Sequence, residues 1–246
     1  DYWDVVPGQG SYYNPDFKTA DPASPRGYKT RVVQGYNTNI VGDLSLDWLD
    51  KKRDKSKPFM LMMQPKAPHR NWKPDLKYLD LLDDVEVPMP ETFFDDYEGR
   101  DVAKIHRMGV DKHMRMSSDL FVGPPAFAGA AKGAKGKKGG KTKGALGRLT
   151  PAQAKAWDKV MVPKNEAFHK ANLTGKALAK WKFQRYAKLF LACIKSVDDN
   201  VGRVLNYLKK NDLMENTIVM YSADQGFYLG EHGWFDRRWM YEESFR

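Results

Sequence analysis

The chain has 246 residues, of which 41% are hydrophobic, 13% aromatic and 29% charged. A chain this rich in Trp, Tyr, Phe and Met can bury a core, which excludes global disorder. No stretch approaches the roughly 18 apolar residues of a membrane span, and one Cys excludes a disulfide scaffold or a Cys-rich zinc module. The net charge is +10, but six lysines between Lys132 and Lys143 supply much of it; without them the balance is only +4. The basic character therefore belongs mainly to one segment and says little about the folded body.

Asp43 to Arg53 reads as a helix, with Leu44, Trp48 and Leu49 on one face and charges on the rest. Lys57-Pro58 breaks it. The short apolar run Phe59-Met60-Leu61-Met62-Met63, flanked by prolines, reads as a strand buried on both faces. It leads into Gln64-Pro65-Lys66-Ala67-Pro68-His69-Arg70. From Trp72 to Gly99 the chain is rich in Pro and Asp and reads as loop, with a helical piece near Leu76 to Leu82. The expected organisation is a body over 1–125, a flexible Ala/Gly/Lys-rich insertion over 126–147, and the body again over 148–246.

The insertion has no apolar anchors and much Gly, so it reads as a loop without a core of its own. No aromatic interleaves its lysines to stack on bases, which disfavours nucleic acid as a partner. After it, Thr150-Pro151 has the form of a helix start, with Thr150 as N-cap and Pro151 at the first helical position. Helical spacing is sustained from Trp181 to Lys210 through Tyr186, Leu189, Phe190, Cys193 and Val197. Thr217 to Tyr221 is a second β-rich run, ending at Ser222-Ala223-Asp224-Gln225-Gly226. Helix, buried strand and polar loop with Gly form the pattern of an α/β protein, in which ligands bind beyond the carboxyl ends of strands. Two strand-end loops then carry the chemistry, one with Lys66 and His69, the other with Asp224 and Gln225.

Asp224 and Gln225 offer hard oxygen ligands suited to Ca²⁺ or Mg²⁺, although an Asp-Gly turn explains the dipeptide equally well. Arg237 and Arg238 present guanidinium forks that match tetrahedral oxyanions, or form a solvated basic loop. His232 has the chemistry to donate to an ester oxygen. Lys66 and His69 stand three residues apart between prolines. Cys193 falls on the apolar face of the long helix and reads as core. His106, His113 and His169 show no ligand spacing.

Taken together, the order of these segments is specific. The stretch from Tyr221-Ser222-Ala223-Asp224-Gln225-Gly226 through Gly230-Glu231-His232-Gly233-Trp234-Phe235-Asp236-Arg237-Arg238 to Tyr241-Glu242-Glu243-Ser244 closely resembles the second half of the type I sulfatases, in the alkaline phosphatase superfamily. Tyr36-Asn37-Thr38, Lys57 to His69 and Leu191 to Gly202 agree with earlier parts of that family, and the wording is nearest to bacterial sulfatases of sulfated sugars. The resemblance implies an alkaline phosphatase-like α/β sandwich with a central, mostly parallel sheet flanked by helices, here incomplete. It implies sulfate-ester hydrolysis with Ca²⁺ and a formylglycine nucleophile, and export to the periplasm or beyond. It places Asp224 and Gln225 as metal ligands, and His69 and Arg237 as catalytic contacts to the sulfate. Arg237 falls where most relatives have Lys. Lys66, His232 and Arg238 fall to substrate binding. No Cys-x-Pro-x-Arg or Ser-x-Pro-x-Arg occurs, so no nucleophile is assigned, and the chain is expected to be an inactive fragment of such an enzyme. A phosphodiesterase or phosphonate hydrolase of the same superfamily, or a noncatalytic carbohydrate- or polyanion-binding protein, are the competing readings.

Replacing Ala126 to Gly147 by a short Gly-Ser linker is expected to leave the Tm within a few degrees, because loop-closure entropy changes slowly with length. A collapse of stability in thermal unfolding shows instead that the segment packs.

Overall fold

The computed structural model describes residues 2–123, 126 and 146–245. Most of the Ala/Gly/Lys-rich segment thus lies outside the described residues. Its ends are anchored, contrary to expectation: the Ala126 amide donates to Asp158 Oδ1 at 2.7 Å, and Ala126 and Leu146 pack against the core. A linker replacement that spares these two residues keeps both contacts.

Three short antiparallel strands open the chain, β1 (Asp4–Val5), β2 (Asp16–Ala20) and β3 (Tyr28–Val32), in the order β1-β2-β3. Phe17 is buried on this sheet. Asp4 ties the three strands together by accepting from Thr19 on β2 and from Arg31 on β3. Helix α1 (Asn37–Asp47) follows and runs on through a π-helical turn at Trp48–Lys52. It starts earlier than the apolar spacing suggests because its first turn is polar yet buried: Asn37 and Thr38 are fully enclosed, and the Asn37 amide donates to Tyr12 O at 2.7 Å. A short helix, α2 (Asp101–Lys104), lies between the loop segments and the two main helices.

Helix α3 (Pro151–Ala171) has the expected start. Gln153 N donates to Thr150 Oγ1 at 3.2 Å while Thr150 N donates to Gln153 Oε1 at 2.8 Å, a reciprocal capping box. Helix α4 (Gly175–Lys210) is the longest element, with 36 residues. Its apolar face buries Phe183, Tyr186, Leu189, Phe190 and Cys193. A two-stranded hairpin, β4 (Tyr228–Leu229) and β5 (Phe235–Asp236), packs on it. Gly230 turns that hairpin at φ 109°, and a Cβ there would stand 2.6 Å from the ring of Phe183. The core runs continuously from Tyr12, Tyr36 and Trp72 through α4 to Trp157, Trp234 and Phe235.

The expected central parallel sheet is not present among the described residues, which form helices and two small antiparallel sheets. Phe59 to Met63 and Thr217 to Tyr221 belong to no strand. They are not buried on both faces either: Met60 is 80% exposed, Ile218 90% and Met220 89%. An apolar run states only that a segment gains by burial. Burial itself needs flanking strands, and no described residue pairs with either run.

Helix α1 crosses α4 at Gly42, where a Cβ would lie 2.1 Å from Asn200 Oδ1. Asn200 cannot yield freely, because it donates to Asn39 Oδ1 and Ser196 O and accepts from Arg203. Gly42→Ala is therefore expected to lower the Tm by several degrees. Overpacking of this kind costs about 1–3 kcal/mol, more than the roughly 1 kcal/mol that Ala gains over Gly in a helix. A Tm that rises in thermal unfolding shows that Asn200 swings aside.

Candidate functional site

Three buried tyrosines peg the loop after Phe59–Met63. Tyr12 Oη donates to His69 O at 2.6 Å, Tyr36 Oη to Lys73 O at 2.9 Å, and Tyr13 Oη to Pro74 O. Each phenol satisfies a backbone carbonyl that would otherwise be stranded near the core. Trp72, fully buried, packs on Tyr186 of α4 with ring centroids 4.5 Å apart. The loop is thus held from both sides, and Lys66 and His69 project from a rigid support.

On the second loop, Gly226 is dictated by crowding: a Cβ there would stand 1.1 Å from Ser244 O. Asp224 and Gln225, just before it, are exposed. Among the described residues neither side chain has a hydrogen-bond partner, which speaks against the turn reading and leaves their oxygens free. Tyr186 Oη donates to Tyr228 O at 2.7 Å and fixes the chain just beyond this loop to α4.

One cleft of about 1520 Å³ is lined by Lys66, His69, Asp224, Gln225 and Arg237. Five of the seven residues picked out by sequence thus line one cleft. His232 and Arg238 do not line it. His232 is engaged by carboxylates, its Nδ1 with Asp95 Oδ2 at 2.6 Å and its Nε2 with Glu243 Oε1 at 3.3 Å. It ties the hairpin to the 3₁₀ turn Glu91–Phe94, where its amide also donates to Thr92 Oγ1. The Arg238 side chain is 67% exposed and donates to Asp236 Oδ2 at 3.2 Å.

The cleft is cationic at one end. Lys66 Nζ donates to Gln9 O at 2.6 Å. Burial, with the Arg237 charge added, lowers its pKa to about 8. The His69 imidazole is lowered below its ordinary value by burial and by the Lys66 and Arg237 charges, against its bond to the Arg70 carbonyl. That carbonyl takes the Nδ1 hydrogen, so Nε2 is an acceptor in the neutral ring and a donor once protonated. An anion in the cleft favours the protonated forms of both groups. Asp224 and Gln225 supply oxygen donors of the type Ca²⁺ takes, but two donors are short of the usual 6–8. Among the described residues, no cluster of three or more His, Cys, Asp or Glu is placed to hold a metal. Cys193 is fully buried between Tyr12 and Tyr36, and burial pushes its thiol up to about 12. It offers neither access nor a thiolate for nucleophilic chemistry.

Sequence reasoning missed the groups around this cleft. Lys73, half-buried near Lys66, is also lowered to about 8, by desolvation and then by the Lys66 charge. Arg70 forms a bidentate pair with the fully buried Asp119 and reaches Asp236 at 3.4 Å. Arg70 follows His69, and Asp236 precedes Arg237, so adjacency was a usable signal for these two. Nothing in the sequence pointed to Asp119.

A family model described as Sulfatase matches residues 1–246. The chain is 38% identical to the N-acetylglucosamine-6-O-sulfatase of Bacteroides thetaiotaomicron, over all of this chain and 42% of that protein. It is 23% identical to the N-acetylglucosamine-6-sulfatase of Bos taurus, over 98% of this chain and 31% of that one. A protein solved in complex with its substrate D-glucosamine-2-N,6-O-disulfate superposes with a TM-score of 0.87 at 38% identity, covering 100% of this chain and 48% of that one. The chain spans less than half the length of each of these relatives. No helix among the described residues is long and apolar enough to cross a membrane.

Inorganic sulfate binding, read by calorimetry, is expected to weaken as the pH rises past about 8, where Lys66 loses its proton. Lys66→Arg is expected to remove this step, because a guanidinium stays charged throughout. Lys73 titrates in the same range, so a step that persists in Lys66→Arg assigns it to Lys73 instead.

Proposed function

Since the chain belongs to the sulfatase family of the alkaline phosphatase superfamily, we propose that the protein carrying it hydrolyses sulfate esters of sulfated amino sugars, with the 6-O-sulfate of N-acetylglucosamine as the leading candidate. The observation that carries this reading is the joining, in one cleft, of three cationic or protonatable groups, Lys66, His69 and Arg237, with two free oxygen donors, Asp224 and Gln225. The relatives named for N-acetylglucosamine 6-sulfate supply the sugar.

In this reading Arg237 holds two sulfate oxygens at once through its fork, and Lys66 adds a compact charge beside it. Both interactions strengthen as charge gathers on the sulfate oxygens, so they favour the transition state over the ester. Protonated His69 Nε2 donates a hydrogen bond toward the ester and has a proton to give the departing alkoxide. Partial burial of Lys66 and His69 lessens the screening of these contacts by bulk water. Asp224 and Gln225 would contribute to holding a Ca²⁺, which would supply further charge compensation, and a formylglycine would supply the nucleophilic oxygen; neither Cys193 nor any motif in this chain provides that group. Substrates of this kind place the enzyme in the periplasm or outside the cell.

The test is sulfate release from N-acetylglucosamine 6-sulfate by the full-length protein, beside a phosphodiester control. Arg237→Ala is expected to lower kcat/KM by about 10²–10³, the loss typical for one donor to a developing oxyanion. Arg237→Lys should retain much more activity. Faster turnover of the phosphodiester, or no sulfate release, overturns the reading.

A further inference from the structure

Arg70 makes the polar link between the two loops meeting at the cationic end of the cleft, beside the Trp72–Phe235 ring contact. Its Nε donates to Asp119 Oδ1 at 2.8 Å and its Nη2 to Asp119 Oδ2 at 2.6 Å. Its Nη1 reaches Asp236 Oδ2 at 3.4 Å, and its guanidinium carbon lies 4.8 Å from the centroid of the Phe235 ring. Asp119 is itself immobilised. It accepts from Asn71 Nδ2 and from the Arg115 amide, the latter at 2.9 Å, and is fully buried. The brace therefore has a fixed end at Asp119 and a working end at Asp236.

Asp236 is 3% exposed and holds a left-handed backbone at φ 71°. It carries one negative charge near three guanidinium groups: Arg70, Arg238 at 3.2 Å and Arg237 at 3.5 Å. The Arg237 contact is the longest of the three, at the outer limit of a hydrogen bond. Arg237 stands on the cleft wall with Lys66 and His69. A buried carboxylate that loses one partner draws harder on those that remain. Without Arg70, the cations left to Asp236 are Arg238, on the same Oδ2, and Arg237, on Oδ1; of the two, only Arg237 also lines the cleft.

We infer that Arg70, locked by Asp119, is a positioning residue that shares the charge of Asp236 and so keeps the Arg237–Asp236 contact long and the Arg237 guanidinium available to an anion, while its own backbone carries the neighbouring His69. This rests on the reading of Lys66, His69 and Arg237 as an oxyanion site. Arg70 acts on Arg237 through Asp236 and does not touch the substrate.

The experiment is a double-mutant cycle on the full-length protein, reading the Kd of inorganic sulfate rather than turnover. Arg237→Ala is expected to weaken sulfate about tenfold to a hundredfold, the usual size for a charged hydrogen bond. Arg70→Gln is expected to weaken it severalfold in the wild-type background and to have no further effect when Arg237 is already Ala. Arg70→Lys, which can reach Asp119 or Asp236 but not hold both, is expected to fall between wild type and Arg70→Gln. If Arg70→Gln does not fold, Arg70→Lys takes its place in the cycle. An equal loss in both backgrounds overturns the inference, because Arg70 then acts independently of Arg237. An unchanged Kd in the Arg70 variants overturns it as well. The Arg237→Ala measurement alone reports on the anion site: no effect there defeats the site reading, whereas a clear effect with an additive cycle defeats only the brace.

Discussion

Tyr186 is the point at which the two functional loops are referred to one scaffold. It sits fully buried in the first half of α4, packs tilted against Trp72 from the His69 loop, and donates its hydroxyl to the backbone of Tyr228 beyond the Asp224 loop. A phenol can do both because its ring is apolar and its end is polar. The aromatic cluster it centres, with Trp72, Phe190, Phe227 and Phe235, is close-packed. In such packing a shift of one loop cannot be absorbed locally. The distances within the cleft therefore depend on this cluster as much as on the residues that line it.

Around that scaffold, charge is distributed so that some cations are spent and others held in reserve. Lys182 is nearly buried and gives its charge to the Asp111 carbonyl. Arg185 is half-buried against Trp181 and donates to Leu120 O and Asn165 Oδ1. These groups tie α4 to the neighbouring loops and support the fold. Lys66 and Arg237 differ in that their burial is partial and their protein partners are few, a carbonyl for one and a distant carboxylate for the other. Desolvation of Lys66 disfavours its charged form in the empty cleft, and a bound anion would offset that cost. His232, surrounded by Asp95 and Glu243, belongs to the structural group.

The legible parts of the sequence were those where local chemistry decides. The Thr150 cap, Pro151 and the long period around Tyr186 and Cys193 all formed as expected, since capping and helical spacing are near-neighbour properties. The strands β1 to β3 escaped notice because they are short and mostly half-exposed, without a strong alternation. Phe59 to Met63 and Thr217 to Tyr221 were read as buried strands from apolar content, yet they lie unpaired and largely exposed among the described residues. Whether a strand forms is settled by its neighbours, and neighbours are not written in the run itself.

The sequence by itself determined the family, and it singled out the candidate site residues and the two loops that carry them, because order and local wording along the chain are properties of one dimension. It also determined that Cys193 is core, since that follows from helical spacing. Only the tertiary structure decided that Lys66, His69 and Arg237 line one cleft while His232 and Arg238 stand off it. Only the fold brings Asp119, 49 residues from Arg70 along the chain, to the guanidinium that braces Asp236. The reason is that a contact between distant segments is set by how α4 and the hairpin pack, and packing is a property of the whole core rather than of any stretch within it.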